Sequence, residues 1–199
     1  MARYTGPKDR LSRREGVDLF GKGAKLTRLT VVPGQHGQKG FSRTSQYAKQ
    51  LREKQKVKRM YGILEGQFRR YVTEALKSRG NTGEALLTRL EKRLDNVVYR
   101  VGFAPNRPSA RQLVSHRHIL VDGKRVNIPS YEVKVGQVIS LTTAAANIPA
   151  VKKTLESEDV KIPDWLQRKA IVGKIAKEPK RDDVNEPIFE SDIVEFYSR

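Results

Sequence analysis

The chain contains no cysteine among its 199 residues. That single absence removes disulfides, thiolate zinc sites and thiol nucleophiles together, and it is compatible with a reducing compartment. Long apolar runs are missing as well: none approaches the roughly 18 residues needed to cross a bilayer. The first residues, Met1-Ala2-Arg3-Tyr4, lack the apolar core of a secretory signal, so a soluble intracellular protein is expected. Histidine is scarce: His36, His116 and His118 are the full set. His116 and His118 lie two apart and on a helix would face different ways, so a metal site is not expected. There is no phosphate loop of the nucleotide-hydrolysing kind, no dinucleotide fingerprint and no nucleophile elbow. Glu91 and Asp95 could pass for an acid–base pair, but the interleaved Arg89 and Arg93 make an ion-pair network the better reading.

Positive charge is abundant. Forty Lys and Arg against twenty-two Asp and Glu give a net charge of +18. The excess is graded: residues 1–60 hold sixteen basic and four acidic side chains, residues 61–134 fourteen and seven, and residues 135–199 ten and eleven. Neutralising phosphates and releasing their counterions is the common reason for such an excess. A membrane surface is the rival partner, but no basic amphipathic helix carries a broad Trp/Phe/Leu face. Nucleic acid is favoured and no membrane is expected.

Along the chain, residues 1–44 are Gly-, Lys- and Arg-rich with little periodicity, and cannot bury enough surface to order themselves alone. They read as a basic arm that folds against RNA. Ser45 is a plausible N-cap for a helix whose apolar face is Tyr47, Leu51, Val57, Met60 and Tyr61, with Gly62 as a break. A second helix carries Leu64, Phe68, Tyr71, Val72, Ala75 and Leu76 and ends at Gly80. Asn81 and Glu84 open a third, with a stripe from Leu87 through Leu90, Leu94, Val97 and Val98 to Val101. Asn106 and Pro108 start a short helix with Ala110, Leu113 and Val114 inward and Arg107 and Arg111 on another side. Residues 119–126 then read as a hairpin turning at Asp122-Gly123. Alternation continues in Tyr131, Val133 and Val135, then in Val138 and Leu141. Residues 142–164 read as a loosely packed connection. A last element starts at Asn185 with Pro187 in its first turn, and Phe189, Ile193 and Phe196 repeat at helical spacing.

The expected class is α+β: a basic arm at 1–44, a helical domain at 45–88 completed by 185–199, and a mixed RNA-binding module with its extension at 89–184. The module strings Arg107, Arg111, Arg117, Lys124 and Arg125 along one compact unit, and helix N-terminal amides near Asn106 could receive a phosphate. It lacks an aromatic pair for stacking unpaired bases, so recognition through backbone shape is expected.

Six stretches are familiar: ARYTGP (2–7), LREKQKVKR (51–59), RLDNVVYR (93–100), ARQLVSH (110–116), VNIPSY (126–131) and IVEFYSR (193–199). With them the chain resembles the bacterial protein-four family of the small ribosomal subunit, from residue 2 to the last. The resemblance implies a structural ribosomal protein of the cytoplasm, not an enzyme. It would be a primary binder of 16S-type rRNA at a multi-helix junction of the 5′ domain, which nucleates subunit assembly. It further implies contact with proteins three and five of that subunit, a share in the path by which messenger RNA enters, and an effect on translational accuracy; some members repress their own messenger. The chain is not expected to form a homo-oligomer when assembled. By the same resemblance, Arg3, Arg13, Arg14, His36, Arg52, Lys54, Lys56, Arg59, Arg69 and Arg70 contact rRNA. The module adds Arg107, Arg111, His116, Arg117, Lys124 and Arg125, while Lys39 and Arg43 face the messenger.

Two departures stand out. Many relatives carry zinc-binding cysteines in the arm; here Asp9 and Ser12 stand at the first pair of those positions, which implies the zinc-free branch and no cofactor. Many relatives also have Gly where Arg117 stands, so a positive φ there would strain Arg117 by about 1 kcal/mol. The alternatives from other classes are an RNA-modifying enzyme that uses the module for targeting, and a free-standing regulator of messenger translation.

Overall fold

The periodicities resolve, in a computed structural model, into nine α-helices and five short strands among the described residues, which are 3–35, 37, 44–157 and 161–198. The chain divides into two compact units, Met1–Gly83 with Glu186–Arg199, and Glu84–Asn185. It is an α+β protein.

The first unit opens with a helix the composition did not announce. α1 spans Lys8–Glu15 and stops at Gly16, whose left-handed φ of 67° suits a residue without Cβ. Ser12 and Leu19 are buried, and α1 packs against the helix that follows the arm. α2 (Gln46–Met60) starts at Ser45, whose Oγ accepts the Ala48 N–H at 3.3 Å. Val57, Met60 and Tyr61 of its expected stripe are buried, but Gln50, Lys54 and Lys56 are buried too, while Leu51 is half-buried and Tyr47 is 52% exposed. Aromatic rings explain the difference: Phe196 and Tyr197, from the end of the chain, lie over Lys54, and Tyr47 stacks at the margin on Phe196. α3 (Glu65–Leu76) buries Phe68, Val72 and Ala75. α9 runs Glu190–Tyr197, so Pro187 and Phe189 precede the helix instead of forming its first turn.

In the second unit, the expected long helix is two. α4 (Thr82–Glu91) ends, Arg93 adopts an extended ψ of 134° and bridges to Glu132, and α5 (Leu94–Arg100) begins afresh. The break saves the apolar stripe: Leu86, Leu87, Leu90, Leu94, Val97, Val98 and Val101 are all buried. α6 (Arg107–Ser115) has Asn106 as N-cap, its Oδ1 accepting the Ser109 N–H at 3.0 Å, with Pro in the first turn.

The strands β1 (Ile119–Val121), β2 (Lys124–Arg125), β3 (Val138–Leu141), β4 (Leu166–Lys169) and β5 (Val172–Ile175) form one antiparallel sheet in the order β2-β1-β3-β5-β4. Asp122 and Gly123, at φ 48° and 78°, make the two-residue turn. Tyr131–Val135 contributes only the bridge at Glu132, because Pro129 and the turn beside it carry the chain around α5's N-terminus. Residues 142–157 are not loose: α7 (Thr143–Ala146) and α8 (Pro149–Glu156) bury Ala145 and Val151, and Trp165 follows at 1% exposure. The β4–β5 hairpin went unread in the sequence because basic residues interrupt its alternation. α5 meets the sheet at Gly173, where a Cβ would lie 2.9 Å from Val101 Cγ1.

Candidate nucleic-acid interface

The module's cationic face is built on buried or half-buried polar residues around the start of α5, namely Glu91, Arg93, Asp95, Asn96 and Arg100. Arg93 donates from Nε to Asp95 Oδ1 at 3.1 Å and from Nη2 to Asp95 Oδ2 at 2.8 Å. Asn96 Nδ2 donates to Glu91 Oε2 at 2.8 Å, and Arg100 grips the same carboxylate through Nε and Nη2 at 3.0 and 2.8 Å. Two residues of the sequence-predicted grip attach here. Arg107 donates from Nε to Asn96 Oδ1 at 2.8 Å and lies over the Tyr99 ring at 4.8 Å from its centroid. Arg111 Nη1 stands 3.6 Å from Asp95 Oδ2. Three guanidinia thus meet two carboxylates and the fourth, Arg107, meets the Asn96 amide; Arg93 and Arg100 are held by bidentate, charge-assisted bonds. Glu91 and Asp95 are structural counter-ions. Asn96, which orients Arg107, escaped sequence reasoning because nothing in its neighbourhood marks it; only the close approach of α5 and α6 does.

The remaining module residues are exposed. His116, Arg117, Lys124 and Arg125 lie at the end of α6 and on β2, next to the Asp122-Gly123 turn. Arg117 takes φ 63°, the left-handed conformation, where its N–H caps the Val114 carbonyl at 3.0 Å and His118 N–H that of Leu113. The strain is real, about 1 kcal/mol for a residue bearing a Cβ.

In the first unit the predicted cations divide. Arg3 and Arg14 are exposed, and Arg13 Nε is tied to the Val31 carbonyl at 3.0 Å. Arg69 and Arg70 are exposed, the latter paired to Glu74 at 2.9 Å. Arg52 and Arg59 both reach Glu15, whose side chain is buried. Burial pushes the Glu15 carboxyl above its ordinary range, and Arg52, Arg59 and Arg14 only partly oppose this. Lys54 and Lys56 do not project as free phosphate ligands: they are buried, paired to Glu65 and Glu53 at 2.8 and 2.6 Å. Their place on the inner face follows from α9 covering that side of α2, which helical spacing alone did not reveal. Burial raises the Glu65 carboxyl, but hydrogen bonds from Lys54, Lys58 and Tyr197 outweigh it and bring it down to about 2. Where cysteines would stand, Asp9 pairs with Lys22 at 2.5 Å and Ser12 Oγ accepts the Leu19 N–H at 3.3 Å. These residues, one of them turned to a lysine, do not suit a zinc ion. His36, Lys39 and Arg43 lie outside the described residues.

A mixed helix–hairpin unit with guanidinia fixed on one side is the architecture of an RNA-binding module carried by a larger helical protein. Residues 92–139 match the model of the S4 domain, and residues 3–91 match that of the ribosomal protein S4/S9 N-terminal domain. Along the full length of both chains, the protein is 53% identical to small ribosomal subunit protein uS4 of Polaromonas naphthalenivorans, 51% to that of Cupriavidus pinatubonensis and 48% to that of Natranaerobius thermophilus. The chain belongs to the uS4 family of small ribosomal subunit proteins, and its role is structural, not enzymatic.

Proposed function

We propose that the chain binds small-subunit rRNA chiefly through the phosphate backbone, at a multi-helix junction of the 5′ domain, and nucleates assembly of the subunit around it. The observation that carries this reading is the pairing of fixed and free cations in one module. Arg107 and Arg111 are immobilised by Asn96 and Asp95, while Arg117, Lys124 and Arg125 stand exposed beside them. Preset guanidinia lose little freedom on meeting phosphate, and exposed ones adapt to the backbone's course. Exposed Arg3, Arg14, Arg69 and Arg70 extend the contact in the first unit. His36 belongs to the same rRNA surface in this proposal. Arg52 and Arg59, held at Glu15, reach rRNA only at their partly exposed ends. Lys39 and Arg43 face incoming messenger RNA, and neighbouring proteins three and five complete that path and its influence on accuracy.

Affinity for a transcript containing the 5′-domain junction is expected to fall steeply between low and physiological salt, because many counterions are released. A flat salt response would overturn phosphate-led binding.

A further inference from the structure

The register of the sheet assembles a second surface on the side away from the core. Residues paired directly across antiparallel strands project to the same face. Leu120 pairs with Arg125 and with Ser140, Ser140 with Val172, and Val172 with Lys169. One row therefore crosses all five strands: Arg125, Leu120, Ser140, Val172, Lys169. The next row runs Val138, Lys174, Gln167. The opposite face holds the core through Ile119, Ile139, Leu141 and Ile175. On the outer face Arg125, Lys169 and Lys174 are exposed, and no strand position on it is acidic. Asp122, at the end of the second row, accepts the Val138 N–H at 2.9 Å and Gln137 Nε2 at 2.8 Å.

In the first row Arg125 and Lys169 thus stand at the two margins with the uncharged Leu120, Ser140 and Val172 between them, and Lys174 adds a third cation one strand in from the β4 margin. Four inter-strand spacings of ~4.8 Å set the margins about 19 Å apart. None of the strand positions on this face is aromatic, so the strands offer no platform for stacking unpaired bases. A-form RNA offers the complement: a wide, shallow minor groove of sugars and base edges, flanked by two phosphate backbones. Arg125 also belongs to the α6–hairpin surface, so the two surfaces are continuous through β2.

We propose that the outer face of this sheet is a second RNA-binding surface, which lies across a double-stranded stretch of rRNA and is anchored by Lys169 and Lys174 on the β4–β5 hairpin. The inference rests on the rRNA reading above. Its test uses the full chain, a 5′-domain junction transcript and a salt series. K169A/K174A is expected to bind roughly tenfold more weakly, with a salt slope shallower by about one to two, at unchanged melting temperature. K169R/K174R restores wild-type affinity. K152A/K153A, which removes the same charge from exposed positions of α8, leaves affinity within about twofold. A short blunt RNA duplex competes better against the wild type than a single strand of equal length. Equal losses in the two alanine pairs, or a better single-stranded competitor, would overturn the proposal. Unchanged affinity and slope in K169A/K174A would also overturn it, leaving the face to a protein partner. A wild type that binds no transcript would overturn the underlying rRNA reading itself, a result separable from any variant-specific one.

Discussion

Arg93 and Asp95, only two positions apart, clasp each other through two hydrogen bonds at 3.1 and 2.8 Å while both are almost fully buried. Two residues at that spacing cannot face each other on a continuous helix. The clasp is possible because Arg93 is extended between α4 and α5, and it fixes the carboxylate that Arg111 approaches.

Removing one member of that pair strands a buried charge. Asp95→Ala is expected to destabilise the chain by about 3–5 kcal/mol, measured by urea unfolding. Arg93→Met with Asp95→Leu should cost much less than the sum of the single changes. Additive losses would show that the pair is not coupled.

Arg107 and Arg111 are tied into the fold and are also proposed to hold RNA. Their double alanine variant should lower RNA affinity and also the melting temperature, because Asn96 Oδ1 and Asp95 each lose a partner. Lys124→Ala with Arg125→Ala, on exposed positions, should reduce affinity alone. Thermal melts run beside filter binding separate the two behaviours.

Arg117 holds a conformation better suited to glycine. Arg117→Gly should leave stability unchanged or raise it by up to about 1 kcal/mol, the relief of strain being partly offset by glycine's freedom in the unfolded chain. RNA affinity should fall in the same variant, with a salt slope shallower by about one. A loss of stability would mean that the Arg117 side chain contributes packing.

Glu65 sets an acid limit on the first unit. Its folded pKa of about 2 lies below the ordinary 4.5, so the folded state binds its proton less readily than the unfolded chain. The resulting stability is fully present above pH 4.5 and is lost as pH falls from there towards 2. Glu65→Gln should flatten that part of the stability–pH curve relative to the wild type. Identical acid wings would remove Glu65 from the account.

Deleting residues 1–44 is expected to weaken RNA binding and also to lower the melting temperature. Arg52 and Arg59 would lose Glu15, and the buried Leu19 would be gone. An unchanged melt, followed by circular dichroism, would show that α1 adds nothing to the body's stability.

Local chemistry was legible wherever a signal needs only its neighbours. Ser45 and Asn106 cap helices through their own side chains, Gly62 and Gly102 turn left-handed where the helices stop, and Asp122-Gly123 closes the hairpin. Ala110, Leu113 and Val114 face inward, as their spacing requires. What failed were statements about partners distant in sequence. A periodic stripe passes unbroken through residues 87–101, yet Arg93 leaves the helix because Asp95 and Glu132 hold it. Lys54 and Lys56 look like solvent-facing cations until α9 covers them.

The amino-acid sequence by itself determined the helix starts and stops, the tight turn, the excess of positive charge and the kinship that goes with its motifs, since these depend on residue type and short spacing. Tertiary structure alone decided which of the described cations are tied to buried carboxylates, and it alone set five strands in register so that Arg125 and Lys169 end one row. Ion pairs and cross-strand neighbours are formed by chain segments that meet only on folding, so no local pattern specifies them.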